Sequence, residues 1–186
     1  MQGEHQPVAD RAELYLRSLL PEGYSRQQAS TLDRVSELVD RGVVGERHVE
    51  VCGCQVPASV TATRTGVGER IVSRLSAFQA WAQRNDCTLG PAMELRDVDD
   101  SLSDTHYRAV RLPTLLLAEY RDGALRCVTP HCAGDTVRTV EDRLAELEAG
   151  EPTVFEPLPP RSPSTLPADI DAEDDDTDER ALLAQR

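Results

Sequence analysis

The chain has 186 residues, 33 of them acidic and 20 basic, with a formal net charge of −13. That length suits one domain plus an appendage, with a core large enough to need no disulfide or metal staple. No apolar run approaches the roughly 18 residues of a membrane span, and five cysteines without a hydrophobic leader argue against a secreted disulfide scaffold, so the expected compartment is the cytoplasm.

All 20 basic residues are arginine. Surplus charge destabilises a compact chain by self-repulsion. In molar salt the Debye length falls to about 3 Å and most of that cost disappears. Acid excess without lysine therefore reads as adaptation to a salt-rich cytoplasm. The excess is uneven: residues 151–186 carry ten acids against three arginines, a net of −7, and residues 1–150 carry −6.

Residues 1–10 read as a flexible N-terminus. Residues 11–19 alternate, with Ala12, Leu14 and Leu16 on one face and Glu13, Tyr15 and Arg17 on the other, and predict a strand. Leu20-Pro21-Glu22-Gly23 is a turn signal, and Ser25 with Gln28 forms a capping-box pattern. Leu32, Val35, Leu38 and Val39 predict a helix that Gly42 ends. Residues 47–56 return to strand character, with His48, Glu50, Cys52 and Cys54 on one face and Val49 and Val51 on the other. A second helix is expected over about 67–85, with Ile71, Val72, Leu75, Phe78 and Ala82 inward. Met93 and Leu95 suggest a short strand, and 97–106 an acidic loop.

Residues 107–120 predict a strand with Pro113 near its start. Asp122-Gly123 is a hairpin turn, and 124–128 the returning strand. Asp135 or Thr136 is the expected cap of a last helix, with Val137, Val140, Leu144 and Leu147 inward and Gly150 at its end. Residues 151–186 cannot bury enough apolar surface to offset their ordering entropy. They read as a disordered tail, ending in Ala181-Leu182-Leu183-Ala184, a frayed end with a small docking helix as the alternative. The domain is expected over 11–150, and a chain ending at Gly150 is expected to fold.

With the short strand near 93 set aside, the order is β-α-β-α-β-β-α, an α/β domain that resembles the thioredoxin-like fold. Val110-Arg111-Leu112-Pro113-Thr114-Leu115-Leu116-Leu117, then Asp122-Gly123 and the closing helix, resemble the back half of that fold. The resemblance implies that Pro113 is a cis-proline. A ferredoxin-like two-layer α+β sandwich is the alternative. Redox thioredoxins carry Cys-x-x-Cys at the start of the first helix, where Pro21 to Gln28 here hold no cysteine. The chain also resembles a family of small haloarchaeal proteins of unassigned function, some carrying a helix-turn-helix label. Leu14-Tyr15-Leu16-Arg17-Ser18, Arg26-Gln27-Gln28-Ala29-Ser30 and Asp135-Thr136-Val137-Arg138 are part of that likeness, which covers about residues 11–148. It implies no catalytic residue.

Cys52-Gly53-Cys54 could be a redox or metal pair. On a regular strand, however, i and i+2 side chains lie about 7 Å apart, too far for a disulfide. Cys127, His131 and Cys132 form a second cluster that could join the first in a zinc set, although the spacing matches no zinc module. In a thioredoxin-like sheet the two clusters would lie on opposite edges, about 14 Å apart. His48 and Glu50 read as a solvated edge, because i, i+2 spacing alone does not bring an acid and a base together. No nucleotide motif is present, and no cofactor is implied. The arginines of the first helix, Arg26, Arg34 and Arg41, are interleaved with Asp33, Glu37 and Asp40, which disfavours nucleic acid without excluding it. The expected role is a non-enzymatic regulatory or interaction module with a protein partner. A thiol redox protein using Cys52, Cys54 or Cys132 and a DNA-binding regulator are the alternatives.

Overall fold

A computed structural model of the protein describes residues 6–18, 26–58, 66–90, 93–100 and 105–160. The main sheet runs β2-β1-β7-β8: β2 Val44–Val51, β1 Ala9–Leu16, β7 Leu115–Arg121 and β8 Ala124–Thr129. β1 lies parallel to β2 and antiparallel to β7, and β7 is antiparallel to β8. The chain is mixed α/β, as expected, and β2 and β8 are opposite edges.

The alternation read in β1 holds, but both of its faces are buried. Ala12, Leu14 and Leu16 join Val35 and Leu38 of α1 (Arg26–Asp40) and Leu144 and Leu147 of α3 (Val140–Glu148) in one core. Tyr15 enters a second core with Phe78 and Trp81 of α2 (Gly66–Arg84). Helices α1 and α3 therefore cover one side of the sheet and α2 the other. Both turn residues of the β7–β8 hairpin, Asp122 and Gly123, have positive φ, 54° and 74°, as a two-residue I′ turn requires.

Two smaller sheets flank this frame. β3 (Gln55–Pro57), β6 (Thr105–Arg111) and β5 (Glu94–Asp100) form the order β3-β6-β5; β10 (Thr136–Arg138), β9 (His131–Ala133) and β4 (Cys87–Thr88) form β10-β9-β4.

Several expectations change. The span 107–120 is two strands in two sheets. Pro113 offers no N–H to a ladder, and the chain leaves β6 there to join β7. Leu112 is fixed on both sides, its N–H on the Cys54 carbonyl at 3.1 Å and its carbonyl accepting from Arg17 at 2.7 Å. Its bond to Pro113 is not cis; the cis bond among the described residues is Thr129–Pro130, in the tight turn between β8 and β9. The acidic loop is largely strand, because Asp97 stands opposite Arg108 across β5 and β6. Thr139, rather than Asp135 or Thr136, caps α3: its hydroxyl accepts the Asp142 N–H at 3.2 Å and its own N–H reaches the Asp142 carboxylate at 2.9 Å. Val137, expected inward, is 61% exposed on β10.

Residues 151–160, read as the start of the tail, form a strap against the domain. Leu158 exchanges two 2.9 Å backbone hydrogen bonds with Leu125. The Glu156 N–H meets the Asn85 side-chain oxygen at 2.7 Å, and the Asn85 amide returns a bond to the Glu156 carbonyl at 3.1 Å. The Leu20–Gly23 turn, Ser25 and residues 161–186 lie outside the described residues. Gln28 turns its amide to the Thr114 carbonyl at 3.1 Å. No helix among the described residues is long and apolar enough to cross a membrane.

Candidate functional site

The parallel register sets His48 beside Glu13 and Glu50 beside Tyr15. All four face α2, whose Arg70, Ile71 and Arg74 close a recess of about 180 Å³. Glu13 is only 4% exposed at its floor. Its carboxylate accepts the Tyr15 hydroxyl at 2.6 Å and pairs with Arg11 at 3.0 Å and Arg74 at 3.4 Å. Buried carboxylates persist only when compensated in this way. Tyr120 of β7 stands opposite Arg11. The Arg11 guanidinium lies 4.5 Å over its ring and that of Arg74 5.4 Å, and Arg74 donates to the Tyr120 hydroxyl at 3.4 Å.

Burial, with help from Glu13, pushes both phenols well above the ordinary tyrosine range. Both stay protonated at any physiological pH. The network is thus a set of paired charges that hold a shape, with the Arg11 Nε buried without a hydrogen-bond partner. His48 and Glu50 stand at the rim 3.3 Å apart, closer than their i, i+2 spacing promised. Arg11, Glu13, Arg74 and Tyr120 are not singled out in the sequence. The signal available is a charged residue at each of two inward positions of a two-sided buried strand.

The thiols do not assemble. β2 ends at Val51, and Gly53 with φ +76° turns the chain between Cys52 and Cys54. Cys52 is half-buried, and burial pushes its thiol up to about 12. Cys54 is exposed. Cys127 is buried in β8, its thiol raised by burial and by Glu119. Cys132 lies on β9 beside β4, so its neighbouring thiol is Cys87, which the sequence does not pair with it. All five are free, and among the described residues no three His, Cys, Asp or Glu side chains gather as metal ligands.

His131 is a core residue. Its ring stands edge-on to Phe155 of the strap at 4.9 Å and to Trp81 at 5.4 Å, and those two rings meet at 5.1 Å. Nδ1 donates to the Val128 carbonyl at 2.6 Å, and Nε2 is buried without a partner. Burial, aided by Arg138 and opposed by the Val128 bond, lowers its pKa below the ordinary 6.5. As pH falls, the unfolded chain therefore takes up this proton first. Stability from this site is full above about pH 6.5 and is lost as pH falls through the folded-state value. The thermal midpoint should drop across that window, and drop less in His131→Leu. Parallel pH curves for the two proteins would rule this account out.

The pattern of a family described as "Helix-turn-helix domain" matches residues 4–152. No curated protein and no solved structure matches the chain. Among the described residues, α1 and α2 are separated by β2 and β3 and lie on opposite sides of the sheet.

Proposed function

The chain belongs to this helix-turn-helix domain family, and from that premise we propose that it is a non-enzymatic regulatory module of the cytoplasm, working by binding on its α2 face. The observation that carries this reading is the compensated network of Arg11, Glu13, Tyr15, Arg74 and Tyr120. It spends its charges on holding a concave surface rather than on poising a base or a nucleophile.

A second reading, DNA binding, is favoured by the family description. Against it, two of the three arginines in and just after α1 are engaged, while Arg26 is exposed: Arg34 pairs with Glu148 at 2.6 Å, and Arg41 donates to the Glu148 carbonyl at 3.1 Å. Phosphate contacts would have to displace them. The thiol redox reading loses support because a reactive cysteine needs a lowered pKa, and burial moves Cys52 and Cys127 the other way. In the folded chain Cys54 should react at once with a thiol reagent and Cys127 only on unfolding. A Cys52–Cys54 disulfide forming under peroxide would restore the redox reading.

The working surface is tested by complementation. Ser73→Trp places a bulky ring on the α2 face, and Ala145→Trp does the same on the outer side of α3. In a strain lacking the gene, Ala145→Trp should restore the transcript profile and Ser73→Trp should not. Full restoration by Ser73→Trp would overturn the reading. Sequence-specific retention of a duplex across a salt titration would replace it with DNA binding.

A further inference from the structure

A larger groove of about 600 Å³, within the range of small-molecule clefts, lies along α2 and shares Arg70 and Arg74 with the recess. Its floor is α2 itself, low because Ser73, Ala77 and Ala80 are small. Tyr120, Leu125 and Leu158 to Pro160 of the strap line it as well, Leu125 and Leu158 side by side across their paired backbones. Two arginines, Arg70 and Arg74, stand where the groove meets the recess. Arg74 is committed to Glu13 and Tyr120. Arg70 is exposed and has no hydrogen-bond or ion-pair partner among the described residues, in a chain where acids outnumber arginines by 33 to 20. Glu69 precedes it, but adjacent helix positions do not face each other.

We propose that this groove binds an amphipathic carboxylic acid, with the apolar body along Ala77 and Ala80 and the carboxylate on Arg70. The proposal rests on the reading of the α2 face as the working surface. Three features select the ligand. A guanidinium grips a carboxylate in a two-pronged bond, and one uncommitted arginine matches one negative charge. A dianionic head would meet Glu50 on the rim of the adjoining recess with that single arginine to balance it. An extended peptide would seek a backbone ladder, but Pro159 and Pro160 give the strap wall no N–H there.

The probe is decanoate, with decan-1-ol as its neutral counterpart, titrated calorimetrically into the intact chain at 0.1 M salt and below micellar concentration. Decanoate should bind saturably at one site and decan-1-ol at least tenfold more weakly. Arg70→Gln should weaken decanoate about tenfold or more, the ordinary worth of a charge-assisted bond, and Ala77→Phe should abolish binding. Circular dichroism should show both variants folded. Absence of saturable decanoate binding, equal affinity for decan-1-ol, or indifference to both variants would overturn the proposal. So would binding that appears only in a chain ending at Pro160, which would assign the groove to the chain's own 161–186 segment. If decanoate fails while Ser73→Trp still blocks complementation, the ligand class alone is wrong. If Ser73→Trp also complements, the working surface is wrong as well.

Discussion

Replacing Arg143 by Met should lower the unfolding free energy by about 3–5 kcal/mol, the cost of leaving a buried charge without its partner. Arg143 of α3 is 2% exposed and Glu119 of β7 is 1% exposed. The guanidinium meets both carboxylate oxygens, Nε at 2.7 Å and Nη2 at 2.8 Å. Its Nη1 reaches Glu146 at 2.9 Å and the Glu151 carbonyl at 3.2 Å. Each guanidinium nitrogen has a partner, so the pair is tolerated in the core; either half alone is not. The double change Glu119→Leu with Arg143→Met should therefore recover most of the loss, since an apolar pair of similar volume removes both desolvation penalties.

Salt separates this pair from the surface ones. A buried pair is little screened, so the Arg143→Met loss should persist in molar salt. Arg34→Met removes the half-exposed bridge to Glu148 and should cost at most about 1 kcal/mol at low salt and less at high salt. Chemical denaturation of the three variants at both salts is the measurement. An Arg143→Met loss below about 1 kcal/mol would mean that Glu119 finds water or another partner.

Local signals with short reach were legible in the sequence. The alternation of β1, the stripe of α2 and the Asp122-Gly123 turn each depend on neighbours a few residues away, and each stands where expected. What failed depends on distant partners. Asp97 to Asp100 read as loop because they are acidic, and they are strand because β6 lies beside them. Trp81 falls outside the apolar stripe of α2, yet it is fully buried, its indole N–H meeting the Arg126 carbonyl at 3.1 Å. His131 suggested a ligand because cysteines flank it in sequence, whereas its actual neighbours come from α2 and the strap. The recess is the extreme case. Glu13 and Arg74 are 61 residues apart, and no local pattern brings a strand carboxylate to a helix guanidinium.

Composition misled most at residue 151. Prolines and acids mark the segment as tail, but Phe155 and Leu158 carry enough apolar surface to dock. A chain ending at Gly150 should be less stable than one ending at Pro160 by about 3–4 kcal/mol, summing a half-buried Phe and Leu with the lost hydrogen bonds. The loss falls on one place. Trp81 and His131 are both nearly inaccessible, and without Phe155 one face of each ring meets water. Phe155→Ala alone should give about half of the effect and should blunt the acid-window loss assigned to His131, because a wetted imidazole titrates nearer its ordinary value. Equal midpoints for the chains ending at 150 and 160 would refute the docking. The same strap supplies the Leu158–Pro160 wall of the groove, so its removal should also abolish decanoate binding. Ligand and strap then stabilise each other by linkage, and saturating decanoate should raise the midpoint of the chain ending at Pro160 while leaving the chain ending at Gly150 unchanged.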